Sequence, residues 1–349
     1  TQDRQQRFAE RLIGELEASL PHLSGGIETI FIGGGTPTLL RPELWTVLLE
    51  TLRSMGLLSH PELEFTVEAN PETVTSELAE ILAEGGVNRV SIGAQSFNRI
   101  HLKTLERWHD PESPPRAVEL IRSAGISRIS LDLIFGVPGQ SLEEWAADLE
   151  GALALQPTHL SCYGLTYEPN TAMTKRLQIG EFEPADEGLE AEMFELTRSR
   201  TDAGGLRQYE ISNYAAPGQE CRHNLLYWRN AEWWACGPSA SGHAAGLRWK
   251  NVPRLTPYLE HAPWPPIEDA EVITPDQQAG ETLMLGLRLR EGIPLERINE
   301  LLADAPQGVR RAETIQQWIS RGCLERTSSH LRLSEPGLLL ADTVIADLI

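Results

Sequence analysis

Cysteine is scarce: four in 349 residues, Cys162, Cys221, Cys236 and Cys323, far apart and with no C-x-x-C pair. That spacing signals neither a disulfide framework nor a zinc site, so each reads as a small apolar filler in a reducing cytoplasm. Positive charge is also short. Thirty Lys and Arg stand against 50 Asp and Glu, and the formal net charge of −20 sets the chain against nucleic acid and anionic lipid. No apolar stretch approaches the roughly 18 residues of a membrane span. A signal-peptide pattern, an internal repeat and a low-complexity segment are likewise missing from the sequence.

What is there is an ordinary globular composition, 41% hydrophobic and 23% charged. The length suits one domain of roughly 200 residues plus a smaller one. Phe8, Leu12, Ile13, Leu16 and Leu20 recur at helical spacing and predict an amphipathic helix over residues 3–20. β-rich runs follow: IETIFIG (27–33), LEFTVEA (63–69), RVSIGAQ (89–95), RISLDLIFG (128–136) and HLSCYGL (159–165). Helical stretches alternate with them, with caps expected at Ser113 before Pro114 and at Ser141, where Glu144 completes a capping box. Repeated βα units predict an α/β fold with a parallel sheet, doubly wound or curled into a barrel, and ligand groups at the carboxyl ends of the strands. Residues 33–36, 68–71, 95–97 and 132–138 should therefore face one another. From about 205 the rhythm lapses into QYEISNYAAPGQECRHNLLYW, PWPPIEDAE near 265 reads as a linker, and the rest predicts helices plus a hairpin turning at Ser328 and Ser329. The expected division is a main domain over 1–204, an aromatic-rich extension over 205–265 and a small α+β domain over 266–349.

The chemistry-bearing residues cluster at those strand ends. Gly33, Gly34 and Gly35 let a ligand approach bare backbone, yet no G-K-[ST] follows and the G-x-G-x-x-G spacing is absent, so neither nucleotide fingerprint is met. Glu68 could bind an amine, a ribose hydroxyl or a metal, or cap the next helix. Gln95 and Asp132 are polar residues in apolar strands and need partners if buried. Arg107 offers a fixed cation, or merely decorates a surface helix. His223 and Tyr227, four apart in CRHNLLYW, share a face if the segment is helical, and an imidazole or a phenolate can ligate haem iron. Cys221 upstream is a soft ligand or equally a filler. An acid–base enzyme built on Glu68 and Asp132 ranks last, because nothing pairs them with a nucleophile or metal.

The order GGGTPT, VEANP, RVSIGAQSFN, DLIFGVPGQ, YEISNYAAPG, RHNLLYW resembles the radical S-adenosylmethionine proteins of the oxygen-independent coproporphyrinogen dehydrogenase group, and within it the HemW-type haem chaperones. The resemblance covers nearly the whole chain. It implies an incomplete (βα)6 partial TIM-like barrel with a small α+β C-terminal domain. It implies S-adenosylmethionine at Gly34, Gly35 and Thr36, with Glu68, Gln95, Arg107 and Asp132 around it, and haem at His223, Asn224 and Tyr227, the HNxxY motif of the chaperone branch.

Two departures accompany it. The family's C-x-x-x-C-x-x-C loop, which holds a [4Fe-4S] cluster, has no counterpart, so no metal ligand is expected in this chain. The chain opens in the helix that should follow that loop. The expectation is that the first strand and cluster loop are missing, by truncation rather than natural loss, and that the cluster belongs to the intact protein. In GPSASGH (237–243), Ser241 stands where family members often have histidine. The function implied is a haem-binding chaperone in the cytoplasm that hands haem to an unknown acceptor protein, with room for peripheral membrane association and a homodimer but no nucleic acid. The alternative is a coproporphyrinogen III dehydrogenase that decarboxylates propionates by radical chemistry.

Overall fold

The computed structural model describes residues 2–23 and 26–349. Helix α1 (Gln2–Ser19) forms over the predicted amphipathic stretch, and the β-rich runs become β1 (Thr29–Ile32), β2 (Glu64–Ala69), β3 (Arg89–Gln95), β4 (Arg128–Phe135) and β5 (His159–Gly164). These pair in parallel, in chain order. Beyond them β6 (Arg207–Gln208) and β7 (Asn213–Ala215) extend the sheet antiparallel in the order β5-β7-β6. The architecture is α/β with a mostly parallel central sheet.

Between strands lie α2 (Pro42–Ser54), α3 (Ser76–Glu84), α4 (Arg99–Thr104), α5 (Ser113–Ser123), α6 (Leu142–Ala154), α7 (Ala172–Gln178) and α8 (Glu187–Ala203). The capping box opens α6 as expected: Glu144 N–H donates to Ser141 Oγ at 3.2 Å and Ser141 N–H to Glu144 Oε2 at 2.9 Å. Ser113 is not a cap. It is already inside the first turn of α5, its N–H bonded to the Asp110 carbonyl at 2.8 Å, because prolines are tolerated in a helix's first turn and need not follow its cap directly.

Alternation along the strands sorts their side chains onto two faces. Phe65, Val67, Val90, Ile92, Ile129, Leu131 and Leu160 go to one face and, with Trp45, Leu49, Leu82, Trp145 and Leu149 from the helices, make the main core. Each such large side chain contributes about 1.5–3 kcal/mol by burial. The other face is polar: Thr29 on β1; Glu64, Thr66 and Glu68 on β2; Arg89 and Ser91 on β3; Arg128, Ser130 and Asp132 on β4; His159 and Ser161 on β5. Most of these are buried as well, so the polar face is covered rather than solvated.

Part of that cover is α9 (Arg222–Trp228), which returns across β1. After it come β8 (Ser241–Ala244), β9 (Leu247–Asn251), α10 (Leu255–Glu260) and β10 (Ile267–Val272), the three strands forming an antiparallel sheet in the order β10-β9-β8. The segment read as a linker is thus half strand: Val272 pairs with Leu247 and Ile267 with Asn251. Every residue of β10 is exposed, and an edge strand with no buried face shows no alternation to read. The chain ends in α11 (Pro275–Gly286), β11 (Ile293–Pro294), α12 (Leu295–Asp304), α13 (Gly308–Ser320), a hairpin of β12 (Leu324–Arg326) and β13 (His330–Leu333), α14 (Glu335–Leu338) and α15 (Ala341–Ala346). Ser328 and Ser329 lie at the hairpin turn as expected, and a second core forms around Leu283, Leu287, Ile315, Trp318, Leu331 and Val344. Among the described residues no helix is long and apolar enough to cross a membrane.

Candidate functional site

At the carboxyl end of β1 the three glycines do different things. A Cβ on Gly33 would lie 2.6 Å from Glu68 Oε2, so only glycine lets the carboxylate lie against the strand end. Gly34 and Gly35 adopt φ of 80° and 146°, where a side chain would strain the backbone, and nothing within 4 Å fills the space a Cβ would take. The main chain is bare there. Gly34 N–H donates to Glu68 Oε2 at 2.9 Å. Burial raises the Glu68 pKa, the Gly34 bond opposes this, and the charge of Asp132 adds to it. Asp132 accepts from Ser91 Oγ through both oxygens at 3.1 Å and from Ser130 Oγ at 3.4 Å. Its pKa too is raised by burial, against the pull of the Ser161, Ser91 and Ser130 hydroxyls and of Arg89. Two carboxyls that sense each other at one strand-end surface favour a cationic guest such as an α-amino group.

Gln95 ends β3 with φ 62°, at the point where the β3–β4 register shifts. A left-handed non-glycine residue costs of order 1 kcal/mol and persists only where its surroundings impose it. Here Asp148 of α6 takes Ser96 Oγ at 2.6 Å and Phe97 N–H at 2.7 Å, and His109 Nε2 sits 3.0 Å from the Ala94 carbonyl. Neither Asp148 nor His109 was anticipated; an Asp among the apolar residues of WAADLEGAL (145–153) was the available signal for the first. Thr36 is half-buried in the turn, while Thr38 joins it to β2 through the Asn70 N–H at 3.2 Å. Arg107 lies on the same loop as His109, next to the end of β3, but its side chain is exposed and makes no ion pair among the described residues.

The HNxxY segment is helical, and it lies against the polar face of β1 and β2. His223 Nδ1 is 2.8 Å from Thr29 Oγ1, its Nε2 is 2.8 Å from the Tyr227 hydroxyl, and its ring stacks on Phe31 with centroids 5.1 Å apart. Burial, with a contribution from the charge of Arg89 and against that of Glu64, lowers its pKa to about 4, so the imidazole is neutral at physiological pH. Tyr227 meets Trp233 edge-on at 4.7 Å, and Trp233 meets His243 at 5.0 Å. The Tyr227 pKa is raised by burial first, then by Cys221 and by Glu68, whose charge therefore reaches the HNxxY helix. Asn224 is half-buried on the same short helix. Ser241 takes part through its backbone alone, its carbonyl accepting from Trp233 Nε1 at 2.7 Å.

The anchor of this helix was not foreseen. Glu64, wholly buried at the start of β2, accepts the N–H groups of His223 at 3.0 Å and Arg222 at 3.1 Å, and Arg128 Nη2 at 2.8 Å. Burial by itself would raise its pKa, but those N–H groups and the charges of Arg89 and Arg128 outweigh burial and hold it below its ordinary value. On its far side α9 is tied to the C-terminal unit: Arg288 lies 4.6 Å over the Trp228 ring, and Asn230 Nδ2 donates to Thr282 Oγ1 at 3.1 Å.

Among the described residues no three His, Cys, Asp or Glu side chains gather to hold a metal ion, and Cys162, Cys221 and Cys323 are buried apart from one another. An iron–sulfur cluster does not fit the donors present. A zwitterion with hydroxyls does fit the bare Gly34–Gly35 backbone and the Glu68–Asp132 pair.

The radical SAM superfamily matches residues 3–151 and the HemN C-terminal domain matches residues 273–340. The chain is 34% identical over 346 residues to the heme chaperone HemW of Mycobacterium tuberculosis (strain ATCC 25618 / H37Rv), covering 98% of this chain and 86% of that protein. It is 35% identical to the heme chaperone HemW of Bacillus subtilis (strain 168), covering 91% and 84%. Among solved structures, coproporphyrinogen III oxidase (HemN) from Escherichia coli, a radical SAM enzyme, superposes with a TM-score of 0.83 at 18% identity, covering 100% of this chain and 84% of that one. That likeness speaks for the fold alone.

Proposed function

The chain belongs to the heme chaperone HemW family, within the radical SAM superfamily, and from that premise we propose that it binds haem on the HNxxY face and delivers it to an acceptor protein. The supporting observation is the pairing of a neutral, half-buried His223 with Tyr227 four residues on, walled by the Phe31 and Trp233 rings. If Nδ1–H donates to Thr29, the imidazole tautomer leaves Nε2 as the ligand atom, and Tyr227 has only to swing aside to expose it. Thr29 then plays the part that orients a ligating histidine from its other nitrogen. Asn224 adds a polar edge to the same site.

S-adenosylmethionine is assigned to Gly34, Gly35 and Thr36, with Glu68, Gln95 and Asp132 facing its methionine end and Arg107 closing from the loop after α4. In that site Glu68 and Asp132 hold the amine while the glycine backbone meets the carboxylate. The described residues offer a [4Fe-4S] cluster no ligand set, and no radical step is assigned to them. We place the protein in the cytoplasm, with haem and an acceptor protein as partners.

Haem titration followed at the Soret band tests the reading. Wild type is expected to saturate with a shifted band, and His223→Ala to weaken binding by about tenfold or more. Tyr227→Phe, which removes the hydroxyl that occupies Nε2, is expected to bind at least as tightly as wild type. A wild type whose spectrum is that of free haem at saturation would overturn it.

A further inference from the structure

On the polar face, directly beside the HNxxY helix, Arg89 of β3 and Thr66 of β2 are register partners. Arg89 is 2% exposed and Thr66 0% exposed. Thr66 Oγ1 has no hydrogen-bond partner, and among the described residues the Arg89 guanidinium forms no ion pair. Its obvious counter-ion is already engaged: Glu64 serves Arg128, the α9 backbone and, at 3.5 Å, the Cys221 thiol. A buried guanidinium carries five N–H donors and no acceptor, and leaving it unanswered is costly. The Arg89 charge helps lower the pKa of His159 and His223, and it also acts on the Glu64 and Asp132 carboxyls, none of which it meets in an ion pair.

We propose that Arg89 and Thr66 form a carboxylate subsite, and that it receives a propionate of the haem held by His223. The proposal rests on the haem reading above. A planar fork of donors with a hydroxyl beside it complements one carboxylate, and the nearby Glu64 and Asp132 would repel a more highly charged group such as phosphate. A macrocycle facing His223 carries carboxylates on short arms, and Arg89 is the cation on this face that forms no ion pair among the described residues, whereas Arg128 is paired with Glu64.

Titration of haem and of haem dimethyl ester into wild type, Arg89→Gln, Arg89→Lys and Thr66→Val separates the two claims. Wild type is expected to prefer the free acid by about tenfold or more, the scale of one charge-assisted hydrogen-bonded pair. Arg89→Gln should erase the preference by weakening haem while leaving the ester unchanged, and Arg89→Lys should keep part of it. Thr66→Val exchanges an unpartnered hydroxyl for a methyl of the same shape, so it keeps the fold and should narrow the preference. Wild type that binds neither compound contradicts the haem reading itself. Wild type that binds haem with a preference surviving intact in Arg89→Gln overturns the subsite alone, and should that variant fail to fold, an unchanged preference in Thr66→Val does the same.

Discussion

Replacing Glu64 by glutamine should cost about 3–5 kcal/mol of stability and loosen the HNxxY helix. The carboxylate takes Arg128 Nη2 at 2.8 Å and Arg222 N–H at 3.1 Å through Oε2, and His223 N–H at 3.0 Å and Cys221 Sγ at 3.5 Å through Oε1. All are donors. A glutamine must turn its NH2 toward one pair or the other, so either orientation gives up two bonds, sets donor against donor and leaves Arg128 without its charge partner. Hydrogen bonds to a charged group contribute roughly 1.5–3 kcal/mol each, and a broken buried ion pair costs about the same as the total given above. Urea unfolding at pH 7 reads the loss, and hydrogen exchange at the Arg222 and His223 amides reads the loosening. The Glu64 pKa is lowered on folding from its ordinary 4.5, so its stabilisation is complete above that value and fades as pH falls through the folded one. The gap between wild type and Glu64→Gln should therefore narrow in acid. A variant within about 0.5 kcal/mol of wild type at pH 7, or a gap that ignores pH, would refute the reasoning.

Further outcomes follow from the same geometry. Gly33→Ala places a Cβ 2.6 Å from Glu68 Oε2 and 2.7 Å from Phe31 Cε1, and should cost about 1–3 kcal/mol in chemical unfolding while displacing Glu68 from Gly34. The His223 ring should titrate in NMR near pH 4 rather than 6.5; since its folded pKa is depressed, the stability it contributes is present above 6.5 and is lost as pH falls from there toward 4. His223→Gln should flatten that part of the stability profile. Gly337→Ala would drive a Cβ to within 1.9 Å of the Cys323 carbonyl, and should melt the C-terminal core well below wild type in a thermal scan.

Most of the parallel strands were legible because their apolar runs stop at a glycine or an asparagine, as at Gly33, Asn70 and Gly136, and the rule that ligands gather at carboxyl ends placed Gly34, Glu68, Gln95 and Asp132 at one end of the sheet. The opposite ends of the same strands were not. Glu64, Arg89, Arg128 and His159 alternate with apolar residues just as a solvent-facing strand side would, and nothing local says that this side is covered. Its cover arrives from far along the chain: the contact between Thr29 and His223 spans 194 residues. The exposed β10 failed for the opposite reason, since it leaves no buried pattern to read, and the cap was misplaced at Ser113 because a proline in a helix's first turn need not follow the cap directly. Arg107, chosen for its position beside the cofactor residues, stands on an exposed loop whose side chain no described neighbour holds.

The most direct measurement is the axial ligation of ferric haem in a stoichiometric complex, read by electron paramagnetic resonance or resonance Raman spectroscopy on wild type and His223→Ala. A nitrogen ligand signature in wild type that disappears in the variant is the predicted result. The same ligand signature in both proteins would contradict the assignment of haem to the HNxxY face.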